Sequence, residues 1–80
     1  MSREIKPGEK YLHFNGNLYE VICIARHTET DENMVVYKSM NLGTIYVRPL
    51  DMFNSPVDKE KYPDAKQEMR FERIEWHQKE

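Results

Sequence analysis

The 80-residue chain carries a net charge of −2, with 39% hydrophobic and 32% charged residues. Eighty residues make one small domain, which we expect over residues 1–80. A chain of this length buries only about 60–65% of the surface that its unfolded form exposes. Its core should span about residues 7–74, with flexible tails at both ends. The acidic balance argues against a dedicated duplex-DNA binder but is compatible with a local basic patch.

The longest apolar run covers residues 21–25, far short of the ~20 residues that cross a bilayer. The N-terminal ten residues are polar and lack a signal-peptide core. These features predict a cytoplasmic protein with no membrane partner.

Residue types that build metal or cofactor sites are sparse. Cys23 is the single cysteine, so the chain has no internal disulfide, and its apolar neighbours predict a buried small hydrophobe. His13, His27 and His77 lack the paired spacing of a zinc site, and the three glycines form no phosphate-binding run. We therefore expect no metal and no cofactor.

Short segments rich in Val, Ile and Tyr predict strands separated by turn residues. In chain order these segments are residues 10–14, 18–26, 34–40 and 44–48. The longest, 18–26, is almost continuously apolar, which predicts a strand covered on both sides for part of its length or curved sharply through a core. Asn15-Gly16 and residues 41–43 are expected to close hairpins.

Pro49 is expected to end the fourth strand and begin a single helical turn. Residues 54–66 are polar and read as a loop. The last segment has two interpretations, a closing strand around residues 70–73, which we favour, or a helix over 65–80. Trp76 is then either a late core residue or an exposed contact residue.

These elements predict a mainly β fold: a small antiparallel SH3-like barrel of about five short strands with one helical turn. No predicted helix is long enough for a crossover between parallel strands. Closure into a barrel would also hide the sheet edges, which so short a chain can hardly cover otherwise.

One candidate site lies on the hairpin around residues 41–43. If Met40 stands opposite Thr44, then Lys38 stands opposite Tyr46, and Arg48 shares their sheet face. An aromatic ring beside two cations is typical of a surface that holds an anion, a peptide or a single nucleic-acid strand. The alternative is an ordinary solvated exterior with cation stems lying along Tyr46.

A second candidate is the segment after the longest strand. His27 and Glu29 could act as a base with its orienting carboxylate, and Arg26 could bind an anionic group. Thr28 and Thr30 can equally bond the local backbone and shape a structural loop.

Four motifs in order resemble a family of short bacterial proteins classed as a domain of unknown function. They are YLHFNGNLYEV, ARHTET, VVY and YVRPLDMF, followed by Arg70-Phe71, and together they span about residues 6–74. The chain differs in having Tyr46 where the family pattern favours Trp, and in a longer insert around residues 58–68. The resemblance implies a compact β fold in a cytoplasmic bacterial protein and names no activity.

The leading hypothesis is a non-catalytic binding module for a peptide or single-stranded nucleic acid. Its candidate ligand-binding residues are Arg26, His27, Lys38, Tyr46 and Arg48. One alternative is a small hydrolase or transferase that uses His27 and Glu29. Another is a structural or regulatory subunit that acts as a homo-oligomer, and the sequence leaves the oligomeric state open.

Overall fold

A computed structural model describes residues 4–74 of the chain, and over these residues the fold is mainly β. They form five antiparallel strands and one helical turn, as predicted, in a single sheet of order β4-β3-β2-β1-β5. The elements are β1 (Lys10–His13), β2 (Leu18–Arg26), β3 (Asn33–Ser39), β4 (Ile45–Pro49), α1 (Leu50–Phe53) and β5 (Phe71–Ile74).

The sheet is open, so the predicted closure into an SH3-like barrel is wrong for the described residues. Strands β4 and β5 are the two edges of the sheet, and no backbone ladder joins them within residues 4–74. Side chains approach across the gap instead, because the Arg48 Cζ lies 5.6 Å from the centroid of the Phe71 ring. The Tyr37 ring of β3 also contacts the Phe71 ring of β5, with centroids 5.4 Å apart.

The core lies against one side of the sheet, here called the inner face, which carries Tyr11, Val21, Val35, Tyr37 and Phe71. These residues alternate along their strands with residues of the opposite, outer face, as the pleat requires. Phe53 of α1 completes the core and stacks on Phe71, with centroids 4.0 Å apart and planes 8° apart. The core also contains Ile5, which precedes the predicted start at residue 7.

The buried Tyr11 ring is tied to the N-terminal segment through Glu9. The Tyr11 hydroxyl donates to Glu9 Oε1 over 2.8 Å, and the Lys6 amide donates to the same oxygen. Arg73 Nε lies 3.2 Å from Glu9 Oε2. Burial alone would raise the pKa of Glu9, but these hydrogen bonds and the Arg73 charge hold that pKa below its usual 4.5.

Strand β2 contains a β-bulge that overturns two sequence predictions. Val21 pairs with Tyr37, while Cys23 pairs with Val36, so Ile22 is an extra residue in β2. Within residues 4–74, Ile22 is 41% exposed. Coverage on both sides, one of the two interpretations of this apolar run, is therefore wrong, and Cys23 is exposed rather than buried.

The hairpin between β3 and β4 is shifted by one residue from the predicted register. Ser39, not Met40, stands opposite Thr44, and its amide donates to the Thr44 carbonyl over 2.9 Å. The connection is four residues long because the Ser39 hydroxyl accepts the Leu42 amide, while Gly43 takes a φ of 76°. Ser39 thus begins the turn that the sequence analysis began at Asn41.

The closing segment is a strand, since Phe71–Ile74 pairs with β1 and His13 stands opposite Phe71. The connection between α1 and β5 covers residues 54–70, four residues more than the predicted loop over 54–66, and it is organised internally. Val57 is buried and its amide donates to the Glu68 carbonyl. Trp76 and the C-terminal part of the alternative helix lie outside the described residues.

Phe53→Ala is expected to lower the free energy of unfolding by about 3–5 kcal/mol, because it removes a fully buried ring that stacks on Phe71. Met52→Ala, in the same helical turn but 47% exposed, is the matched control and should change stability little. Urea unfolding followed by circular dichroism measures both variants. A loss below about 1 kcal/mol for Phe53→Ala would contradict this packing.

Candidate functional site

Each strand of the sheet contributes to a small pocket at the open end of the inner face. The pocket has a volume of about 280 Å³. Its lining residues, here called the inner-face pocket, are His13, Asn15, Tyr19, Tyr37, Tyr46, Arg48 and Phe71. Paired residues of an antiparallel sheet point to the same face, so the observed register brings these side chains together from strands distant in the sequence.

Arg48 supplies the positive charge of the pocket. Its Nε donates to the Tyr37 hydroxyl over 3.2 Å, and its Cζ lies over the Phe71 ring. The side chain is half-buried, and no carboxylate within residues 4–74 forms an ion pair with it. A guanidinium has five N–H donors, so Arg48 retains donors for an anionic ligand.

Tyr46 forms the solvent-exposed wall of the pocket. It stands opposite Tyr37 in the ladder, with ring centroids 5.7 Å apart, and its ring lies 6.2 Å from that of Tyr19. Tyr46 is 38% exposed, whereas Tyr37 is buried. The Tyr46 ring is therefore supported from beneath and still accessible to a ligand.

His13 lies on the far side of the pocket from Tyr46 and contacts Phe71 edge to face at 4.8 Å. Burial lowers the pKa of His13, and the positive charges of Arg48 and Arg70 lower it further. The Asn15 backbone amide donates to the His13 Nδ1 over 3.1 Å. With Nδ1 as an acceptor, the neutral ring carries its proton on Nε2.

The structure separates the three residues of the first predicted cluster. Tyr46 and Arg48 remain together but turn to the inner face, whereas Lys38 is exposed on the outer face opposite Ile45. The physical reason is the four-residue turn, since a shift of one residue moves every side chain of a strand to the other face.

Five pocket residues were not predicted as site residues from the sequence: His13, Asn15, Tyr19, Tyr37 and Phe71. A usable signal was present in Ser39, because a serine at the end of a strand can cap the turn with its hydroxyl. Starting the turn there places Tyr37 opposite Tyr46. The proximity of His13 to Phe71 depends on the long-range pairing of β1 with β5 and has no local signal.

The second predicted cluster lies at the other end of β2, in a connection held by local hydrogen bonds. His27 Nδ1 accepts the backbone amides of Glu29 and Thr30 at 3.1 and 3.3 Å. Arg26 pairs with Asp31 at 3.1 Å, on the exposed surface. His27 and Glu29 thus meet through the Glu29 backbone, which favours the interpretation of this segment as a structural loop.

Within the described part of the chain, no group of three His, Cys, Asp or Glu side chains is arranged to hold a metal ion. Across the same residues, no helix has the length and apolar character needed to span a membrane.

The region that matches known proteins contains most of the sheet. Residues 9–73 match the family described as "Protein of unknown function (DUF1653)". The chain belongs to the DUF1653 family. A crystal structure of a DUF1653 protein from Bordetella bronchiseptica is similar to it over 100% of both chains, with 29% sequence identity and a TM-score of 0.75. Among curated proteins, none matches this chain.

The span that matches DUF1653 contains every residue of the inner-face pocket. The pocket therefore belongs to the family domain itself rather than to an added segment. Arg26, His27 and Glu29 also lie in that span, so family membership does not discriminate between the two candidate sites.

The lowered pKa of His13 predicts a loss of stability on acidification. The unfolded chain takes up a proton near pH 6.5, while the folded chain does so only at lower pH. The free energy of unfolding should therefore decrease as the pH falls from about 6.5 and stop changing, for this group, below the folded pKa. Glu9, with its pKa below 4.5, adds a separate loss at lower pH.

Urea unfolding at a series of pH values measures this effect in the wild type and in His13→Asn. The asparagine oxygen can accept the Asn15 amide but does not titrate, so the decrease that begins near pH 6.5 should shrink in the variant. Equal pH dependence in the two proteins would show that His13 is not held neutral by its surroundings.

Proposed function

We propose that the chain is a non-catalytic binding module that holds a single nucleic-acid strand in its inner-face pocket. One observation carries the proposal: Arg48 is half-buried among aromatic rings, and no carboxylate of residues 4–74 pairs with it. Arg48 already donates to the Tyr37 hydroxyl, but a cation partly removed from water is stabilised further by an opposite charge. A ligand phosphate would supply that opposite charge.

The rings of the pocket favour a nucleotide over a simple inorganic anion. Single-stranded nucleic acid is held by stacking of bases on aromatic side chains beside cations that contact the backbone. Tyr46 offers an accessible ring close to the Arg48 guanidinium. The volume of about 280 Å³ suits one base-sized group with a phosphate at its edge and is too small to enclose a duplex.

Four of the pocket residues then have separate roles. Tyr46 stacks on a base, with Tyr37 fixing its position through the ring contact at 5.7 Å. Arg48 binds a phosphate, and its hydrogen bond to the Tyr37 hydroxyl fixes the guanidinium plane. The Nε2–H of neutral His13 is a donor for a base or sugar oxygen. Of the residues first proposed as ligand-binding, Lys38, Arg26 and His27 lie outside this pocket.

Because the net charge of the chain is −2, a nucleic-acid strand must be attracted by a local group of positive charges. Arg70 adds a positive charge near His13: after burial, the main cause, the charges of Arg48 and Arg70 lower the pKa of His13. With few phosphate contacts, binding should be moderate and only mildly salt-dependent. A slope of log K against log salt of about −0.7 is expected for each phosphate contacted in a single strand.

A titration with a fluorescein-labelled decamer of deoxycytidine at pH 7.5, followed by anisotropy, tests the function. The double variant Tyr46→Ala, Arg48→Gln should bind at least about tenfold more weakly, since it removes both a stacking contact and a charge-assisted hydrogen bond. Lys38→Ala is the matched control, because it removes a cation from β3 on the outer face and should bind like the wild type.

Thermal unfolding of each variant establishes that it is folded at the temperature of the titration. Failure of the wild type to bind the decamer, or equal affinity of the wild type and the double variant, would overturn the proposed function.

A second candidate, self-association, is favoured by β4, which is an edge strand of the sheet formed by residues 4–74. Because Ser39 and Thr44 form a hydrogen-bonded pair, the alternating ladder turns the N–H and C=O groups of Ile45 and Val47 away from β3. The side chains of Ile45 and Val47 are also 60% and 59% exposed. Two copies could pair antiparallel here, with Ile45 of each opposite Val47 of the other.

Light scattering distinguishes this candidate. Pairing through β4 predicts the mass of two chains for the wild type and of one chain for Val47→Lys, which places a charge at the edge. Leu42→Lys, in the exposed connection before β4, should leave the mass unchanged. A single-chain mass for the wild type at every concentration tested would exclude the β4 pairing.

A further inference from the structure

The loop between α1 and β5 forms a second pocket beside the inner-face pocket. Its volume is about 490 Å³, and its walls include Phe14, Asn15, Lys61, Tyr62 and Asp64; these residues are here called the loop pocket. Asn15 lines both pockets, so the two are contiguous at this residue. The proposed function makes no use of the loop pocket.

A row of aromatic contacts connects the two pockets. The His13 ring stacks on Phe14 with centroids 4.4 Å apart, and the Phe14 ring lies 4.9 Å from that of Tyr62. In the other direction, His13 contacts Tyr19, which contacts Tyr46, each at 6.2 Å. From Tyr46 on β4 to Tyr62 in the loop, the centroids of neighbouring rings in this row are never more than 6.2 Å apart.

The loop holds Tyr62 in a defined position although the ring is 42% exposed. The Tyr62 amide donates to the Asp58 carbonyl over 2.8 Å, and its carbonyl accepts the Ala65 amide over 3.1 Å. Lys59 Nζ donates to the Ala65 carbonyl over 2.9 Å. An exposed ring on a loop with this much internal bonding is a preformed contact surface, which lowers the entropic cost of binding.

The charges of the loop pocket fit a base better than a phosphate. Lys61 Nζ lies 5.9 Å from the centroid of the Tyr62 ring and can contact a phosphate at the rim. Asp64 would repel a polyanion inside the pocket, but its carboxylate can accept a hydrogen bond from the exocyclic amine of a base. A cytosine stacked on Tyr62 would offer its exocyclic amine to Asp64 and leave its phosphate at the rim beside Lys61.

We propose that the loop pocket is a second base-binding subsite, so that one strand occupies both pockets and passes Asn15 between them. This inference rests on the proposed function and specifies its ligand: an oligonucleotide of at least two nucleotides rather than a free mononucleotide. Tyr62 stacks on the second base, Lys61 contacts the backbone, and Asp64 favours bases that carry an exocyclic amine.

Competition experiments test the inference with defined probes. Unlabelled deoxycytidine monophosphate and oligodeoxycytidines of two to six nucleotides displace the labelled decamer from the full chain at pH 7.5. Wild-type affinity should increase from the mononucleotide to the short oligomers and then level off. Tyr62→Ala should weaken the oligomers by about fivefold or more, the value of one stacked base, and leave the mononucleotide unchanged.

Tyr62→Phe keeps the ring and should bind like the wild type, whereas a purely structural role of the Tyr62 hydroxyl would weaken this variant as well. Equal oligomer affinity for Tyr62→Ala and the wild type, with binding still lost in Tyr46→Ala, Arg48→Gln, would overturn the second subsite alone. Absence of wild-type binding to any of these probes would overturn the subsite and the proposed function together.

Discussion

The register of the β3–β4 hairpin is the constraint on which the site depends. Because Ser39 begins the turn, Tyr46 stands opposite Tyr37 and Arg48 opposite Val35, both on the inner face. A turn one residue shorter would put the ring and the cation on the outer face, far from the other aromatic residues. One hydroxyl at the end of β3 thus helps to determine which side of the sheet can bind a ligand.

The small size of the domain makes its core and its pocket share residues. Tyr37 and Phe71 are buried, yet both line the inner-face pocket. An open sheet allows this arrangement, since a closed barrel would cover the same rings with backbone. The stacked pair Phe53 and Phe71 forms the floor, and the more exposed rings of Tyr46 and Tyr19 stand above it. Substitutions in the floor are therefore expected to change stability and binding together.

Local sequence signals were sufficient for the elements and insufficient for the site. The Val-rich and Tyr-rich segments, Pro49 and the polar loop predicted five strands and one helical turn, which the structure confirms. The register could not be predicted from local signals, because a three-residue and a four-residue connection both end at Gly43. The bulge at Ile22 likewise leaves no mark in a continuous apolar run.

The pocket also depends on contacts between distant parts of the chain. His13 and Phe71 are neighbours only through the pairing of β1 with β5, and Phe14 meets Tyr62 only because the 54–70 loop folds back toward β1. Gln67 supports this return by donating to the Leu12 carbonyl over 3.0 Å. Such pairings follow from the whole sheet order and cannot be inferred from periodicity along one segment.

The most direct test of the account is a nuclear magnetic resonance titration of the labelled chain with an oligodeoxycytidine. The account predicts that the largest chemical-shift changes fall on His13, Tyr19, Tyr46 and Arg48 of the inner face. Signals of the outer-face residues Lys38, Ile45 and Val47 should change little. Changes concentrated on the outer face, or on the connection between β2 and β3, would contradict the central claim that the inner-face pocket is the binding site.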